Sequence, residues 1–171
     1  MTGTDPDKRL RLLVNLLLPA CALVLAAFYF SMFRRDNAAP VVDLAGYRVG
    51  DAAGFRYGME RCWWNERKIG ATGWIVRERR GMSQRSVRVV LVDRDGRAHA
   101  LKTTLLDRAD VSKRLNEQLG NAVRYRNAGF TASLNLTAAG MVGRPGSLSI
   151  AYDDGEARIL LPIPCRPEQL R

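Results

Sequence analysis

The chain has 171 residues, with 27 Lys and Arg against 17 Asp and Glu, a formal net charge of +10. That length allows one folded domain with an anchor, and one histidine with three cysteines excludes a multi-histidine metal centre and a disulfide-dense mini-scaffold. Of the 22 residues from Leu12 to Phe33, 19 are apolar, and roughly 40% of the remainder is apolar, which is ordinary for a folded domain.

Residues 1–11 read as a short tail and residues 12–33 as a transmembrane helix. At about 1.5 Å per residue, that run covers about 33 Å, enough for a hydrocarbon core of about 30 Å. Phe28, Tyr29, Phe30 and Phe33 stand where an interfacial aromatic belt would form, and Pro19 is tolerable within a span. A cleaved signal peptide and a lipidated Cys21 are the alternatives. Both leave a long apolar remnant after the small residues at Ala20 to Ala22, so an uncleaved anchor is expected. Lys8, Arg9 and Arg11 precede the span while Arg34 and Arg35 follow it. A short basic tail before a long polar domain predicts a cytoplasmic N-terminus, with the C-terminal domain on the periplasmic side of a bacterial inner membrane.

Residues 34–57 carry Pro40, Gly46, Gly50 and Gly54 without sustained periodicity and read as a stalk, with a short strand at Tyr47 to Val49. From residue 58 to 165 the pattern becomes short alternating runs separated by turns, the signature of a β-sandwich. Strands are predicted at Glu60–Trp64, Thr72–Val76, Ser86–Val92, Ala98–Thr104, Phe130–Leu136, Leu148–Tyr152 and Ala157–Leu161. Ser86–Val92 is apolar on both faces and should be central and covered on both sides. Asp93-Arg94-Asp95-Gly96 reads as a hairpin turn rather than a calcium loop, because the twelfth loop position holds Thr104. One helix is expected over Asp110–Leu119, with Asp110 as its N-cap and Gly120 as its terminator. The architecture is mainly β: a seven-stranded immunoglobulin-like sandwich with one short helix, followed by a tail at residues 166–171.

Gly73-Trp74, the Val87 to Asp93 run, Asp95-Gly96-Arg97, Arg108 to Val111 and Ala128-Gly129-Phe130 form an ordered set. Over roughly residues 60 to 162 this set resembles the immunoglobulin-like β-sandwich domains appended to bacterial membrane proteins that handle surface polysaccharide. The resemblance implies a fold and a cell-envelope setting, not a reaction.

Cys62 lies on the first predicted strand and Cys165 just after the last, so an exported domain should bridge them. Trp63 and Trp64 are adjacent and must point to opposite faces; at most one is core, and the other is either covered by edge packing or exposed as a platform for a partner or a sugar ring. Arg77, Arg79, Arg80, Arg85 and Arg88 fall close together, opposed locally only by Glu78. Such a cluster could hold anionic lipid headgroups or acidic glycans through forked hydrogen bonds, or stand as a solvated loop. Nucleic acid does not fit an exported domain. His99 is expected to face solvent, and no nucleophile elbow or phosphate loop is present. No catalytic residue, metal or cofactor is expected. The sequence therefore points to a membrane-anchored binding or scaffold module among other envelope proteins, with a glycan-acting envelope enzyme and a purely structural subunit as the alternatives.

Overall fold

The computed structural model describes residues 6–50, 52–81, 86–125, 127–143 and 146–165. The chain divides after Asp36 into a helical unit and a β unit. The first is a single helix, α1 (Pro6–Asp36), with Arg34 and Arg35 in its last turn, where cations complement the helix dipole. Its Leu10–Asp36 stretch is long and apolar enough to cross a membrane. Large apolar side chains are exposed all round it, including Leu23, Tyr29 and Phe30, so no single face is set aside for a protein core.

The β unit begins with two short strands, β1 (Val41–Val42) and β2 (Arg48–Val49). There follow β3 (Phe55–Trp64), β4 (Lys68–Arg77), β5 (Ser86–Asp93), β6 (Ala98–Ala100) and β7 (Lys102–Leu106). Helix α2 (Ala109–Leu119) precedes β8 (Gly129–Asn135), β9 (Gly146–Asp153) and β10 (Arg158–Ile163). One sheet has the order β1-β6-β5-β9-β10-β2 and the other β3-β4-β8-β7. All pairings are antiparallel except that of β10 with β2.

Period-two alternation builds the core between the sheets. Val89 and Leu91 of β5, Leu148 and Ile150 of β9, and Ile159 and Leu161 of β10 meet Ile69 and Ile75 of β4 and Phe130 and Leu134 of β8. β5 is interior to its sheet and covered on both faces, as its doubly apolar pattern predicts. On its outer side Val90 packs with Ala98, Ala151 and Leu160 under Leu44 and Tyr47.

Three features depart from the sequence-based expectation. The seven predicted sandwich strands become ten among the described residues, because β1 is added, the short strand expected at Tyr47 to Val49 joins the larger sheet as β2, and Ala98–Thr104 divides in two. Division occurs at Leu101, which is buried and carries the chain from one sheet to the other. Second, residues 37–57 are not a stalk. They supply both edge strands of the larger sheet and strap Leu44 and Tyr47 across its outer face. Glycines at 46, 50 and 54 serve the turns of that strap, each at positive φ. Third, Asp110 is not the cap of α2. Arg108 occupies that position, and its guanidinium grips the Asp110 carboxylate from outside the helix. The helix does end at Gly120, left-handed at φ 60°, whose N–H donates to the Asn116 carbonyl. Val111 and Leu115 seat α2 against Val76, Tyr125 and Ala128, on the side of β4 away from the main core.

Candidate partner-binding surface

The arginine cluster follows β4. Arg77 ends that strand, and its Nη1 donates to Asp154 Oδ2 at 3.0 Å and to Glu156 Oε2 at 3.1 Å. Arg80 reaches Glu156 at 2.7 Å, and Glu78 accepts from Arg56 at 2.6 Å. The expectation of a cluster opposed only by Glu78 is therefore corrected: the turn between β9 and β10 supplies two carboxylates that are distant in sequence. Hydrogen bonding to Asp154 raises the Arg77 pKa against the burial that would lower it. Burial pushes the Asp154 carboxyl up, but bonds from the Ala157 backbone, Arg77 and the Glu156 backbone outweigh it and hold the pKa below its usual value. Arg79 is exposed at φ 56°, and its backbone N–H donates to the Tyr125 hydroxyl at 3.0 Å. Arg88 stands apart, exposed on the outer face of β5, and Arg85 lies outside the described residues.

The two adjacent tryptophans do point to opposite faces. Trp64 is in the core at 8% exposure, whereas Trp63 lies on the outer face against Gly70, its cross-strand partner on β4. Trp74 makes the reciprocal contact with Gly58 on β3, while the Arg114 guanidinium sits 5.4 Å above its ring. Trp63 is thus the half-buried indole of this face that carries no such cation among the described residues. Cys62 and Cys165 are joined in a disulfide, with Cα atoms 5.8 Å apart, as their strand positions imply.

His99 does not face solvent. It is 8% exposed, its Nε2 lies 3.3 Å from Asp93 Oδ2, and its Nδ1 lies 3.4 Å from the Ala39 carbonyl. Alternation fails here because β1 pairs alongside β6 and closes over the ring. Asp93 also organises the β5–β6 hairpin, accepting from the backbone N–H groups of Asp95 and Arg97, which confirms the turn reading. A second node is Arg108, which bridges Glu60 of β3 and Asp110 of α2. Its hydrogen bonds hold the Asp110 carboxyl well below the usual carboxylate range. These charged groups are committed to holding loops together.

One feature escaped the sequence pattern altogether. A groove of about 850 Å³ opens where the chain leaves β6 for β7, lined by Val41, Val42, Val87, Leu101 and Leu105, with Asp43 and Arg88 among its polar members. No local residue signature marks it, because it arises from a strand switching sheets. Compared with known proteins, the chain matches no family model, no curated protein and no solved structure.

Proposed function

We propose that this protein is a single-pass, membrane-anchored binding module. In this reading α1 crosses a bacterial inner membrane with its N-terminus in the cytoplasm, and the sandwich, immunoglobulin-like in kind, stands in the periplasm. Its role is that of an accessory or scaffold subunit in an envelope or surface-polysaccharide assembly complex. The observation that carries this reading is the Cys62–Cys165 bridge in a domain that follows an apolar helix, since such bonds persist in oxidising compartments. Binding is favoured over catalysis because Arg77, Arg108, Asp93 and His99 are engaged in structural pairs within the domain. Alkaline phosphatase fused after Arg171 should be active in bacteria, and the full-length protein purified in mild detergent should retain its bridge and carry envelope proteins with it. An inactive fusion together with two freely alkylated thiols would reverse the topology and remove the reading.

A further inference from the structure

We infer that the groove between β5 and β7 accepts an extended segment of another protein, added as a strand to the open half of β5, with apolar side chains facing in and acidic ones facing out. This deepens the binding reading above and rests on it.

β5 pairs with β9 along its whole length, from Ser86 to Asp93, but with β6 only from Val90 to Val92. Odd-numbered residues of β5 direct their N–H and C=O groups toward β6. Asp93 donates to the Arg97 carbonyl, and the Val89 carbonyl accepts from Leu101. At Leu101 the chain departs for the other sheet, and the last groups it satisfies are those of Val89. The Val89 N–H donates to the Thr103 hydroxyl at 3.1 Å. The corresponding groups of Val87 have no partner among the described residues.

The other edges of the sandwich are protected. β1 and β2 are two residues each, β3 carries a bulge between Met59 and Arg61, and β7 begins with Lys102. The open part of β5, Ser86 to Arg88, is also short, but it carries no bulge and lies beside a groove rather than at an outer edge of its sheet. Beside it the groove is floored by Val87, Leu101 and Leu105, which suits a strand presenting alternate apolar side chains. Arg88 alternates with Val87 and lies on the exposed face, making no ion pair among the described residues. An incoming strand therefore places its inward side chains against Val87 and Leu105 and its outward ones beside Arg88. Opposite charges stabilise such cross-strand neighbours, so those outward residues are acidic.

The probe is a short peptide alternating valine and glutamate, with a control of the same composition in two blocks, titrated against the full-length protein in detergent. The alternating peptide should bind at least about tenfold more tightly than the block peptide. N-methylating its backbone amides should abolish that advantage, and its binding should slow hydrogen exchange at the Val87 amide. Arg88→Glu should reverse the preference toward a valine–lysine peptide. Equal binding of alternating and block peptides, or indifference to N-methylation, would overturn strand addition and leave only attraction between opposite charges. Because the peptide arms use the unaltered protein, they remain decisive even if the variant does not fold. Their failure leaves the fusion and alkylation results untouched, so the groove and the anchor are judged separately.

Discussion

Trp63 on β3 lies directly over Gly70 of β4, its cross-strand partner, and the glycine exists to admit the indole. A methyl group at position 70 would meet both that ring and the Ala132 carbonyl, the latter at 2.7 Å. Trp74 over Gly58 is the mirror arrangement, but there the nearest atoms, from 2.6 Å, all belong to the indole. The two glycines should therefore respond differently. Gly58→Ala and Gly70→Ala should each destabilise by about 1–3 kcal/mol, the usual range for overpacking. Truncating Trp74 to Leu should relieve most of the Gly58→Ala penalty, whereas truncating Trp63 should leave much of the Gly70→Ala penalty, because a backbone carbonyl cannot step aside. Urea unfolding of the four single and two double variants measures this directly. Equal rescue at both sites would show that the Ala132 carbonyl does not constrain position 70.

The disulfide ties β3 to the end of the sandwich across 103 residues of sequence. Closing so long a loop restricts the unfolded chain, and removing such a bond typically costs about 2–5 kcal/mol. Replacing both Cys62 and Cys165 with Ser should lower stability by that amount, and reduction of the unaltered protein should reproduce the loss. A single replacement should also expose the other thiol to alkylation under native conditions. Unchanged unfolding after reduction would mean that the bridge contributes nothing beyond the packing of Ile163 and Trp64.

Much of the sandwich was legible in the sequence because its cause is local. Val87, Val89 and Leu91 alternate, Asp93 and Gly96 specify a turn, and Gly120 permits the left-handed end of α2. Cys62 and Cys165 could be paired from strand order alone. What escaped depended on contacts distant in sequence. The carboxylates of Asp154 and Glu156 meet Arg77 only after two sheets have packed. His99 is buried because Val41, far upstream, pairs beside it. The stretch from residue 37 to 57 lacks periodicity because it supplies short edges and a strap rather than a continuous strand, so it imitated a linker.

Arg79 is the residue of the arginine cluster whose backbone carries the cost. At φ 56° it is left-handed, a conformation that disfavours a side chain by roughly 1–2 kcal/mol. Its N–H bond to the Tyr125 hydroxyl helps to hold it there, and Asn121 in turn donates to that hydroxyl at 3.1 Å. Arg79→Gly should stabilise the domain by about 0.5–1 kcal/mol, since glycine adopts this conformation readily. Arg79→Gln should change stability by less than about 0.5 kcal/mol, as for an exposed charge. Thermal unfolding of the two variants separates backbone from charge. A destabilised Gly variant would mean that the Arg79 side chain, rather than its backbone, secures the loop.

Asp154 gives the domain an acid-sensitive latch. Its carboxylate accepts from Arg77, from the backbone N–H groups of Glu156 and Ala157, and weakly from the Tyr152 hydroxyl at 3.4 Å. These bonds favour the charged form and depress the folded-state pKa despite burial. In the unfolded chain the group returns to an ordinary value of about 3.9. A depressed folded pKa contributes stability that is fully present above the unfolded value. That contribution is lost as pH falls from about 4 toward and through the folded pKa. Asp154→Asn keeps the turn's shape and removes the titration. It should therefore be less stable than the unaltered protein near neutrality, with the gap narrowing steadily below about pH 4. Arg77→Gln should show a reduced acid dependence in the same window, because Asp154 then has one fewer donor. Urea midpoints measured from neutral pH down to about pH 2.5 test the sign. A gap that stays constant through the acid range would assign the stabilisation to uncharged hydrogen bonds and not to the carboxylate.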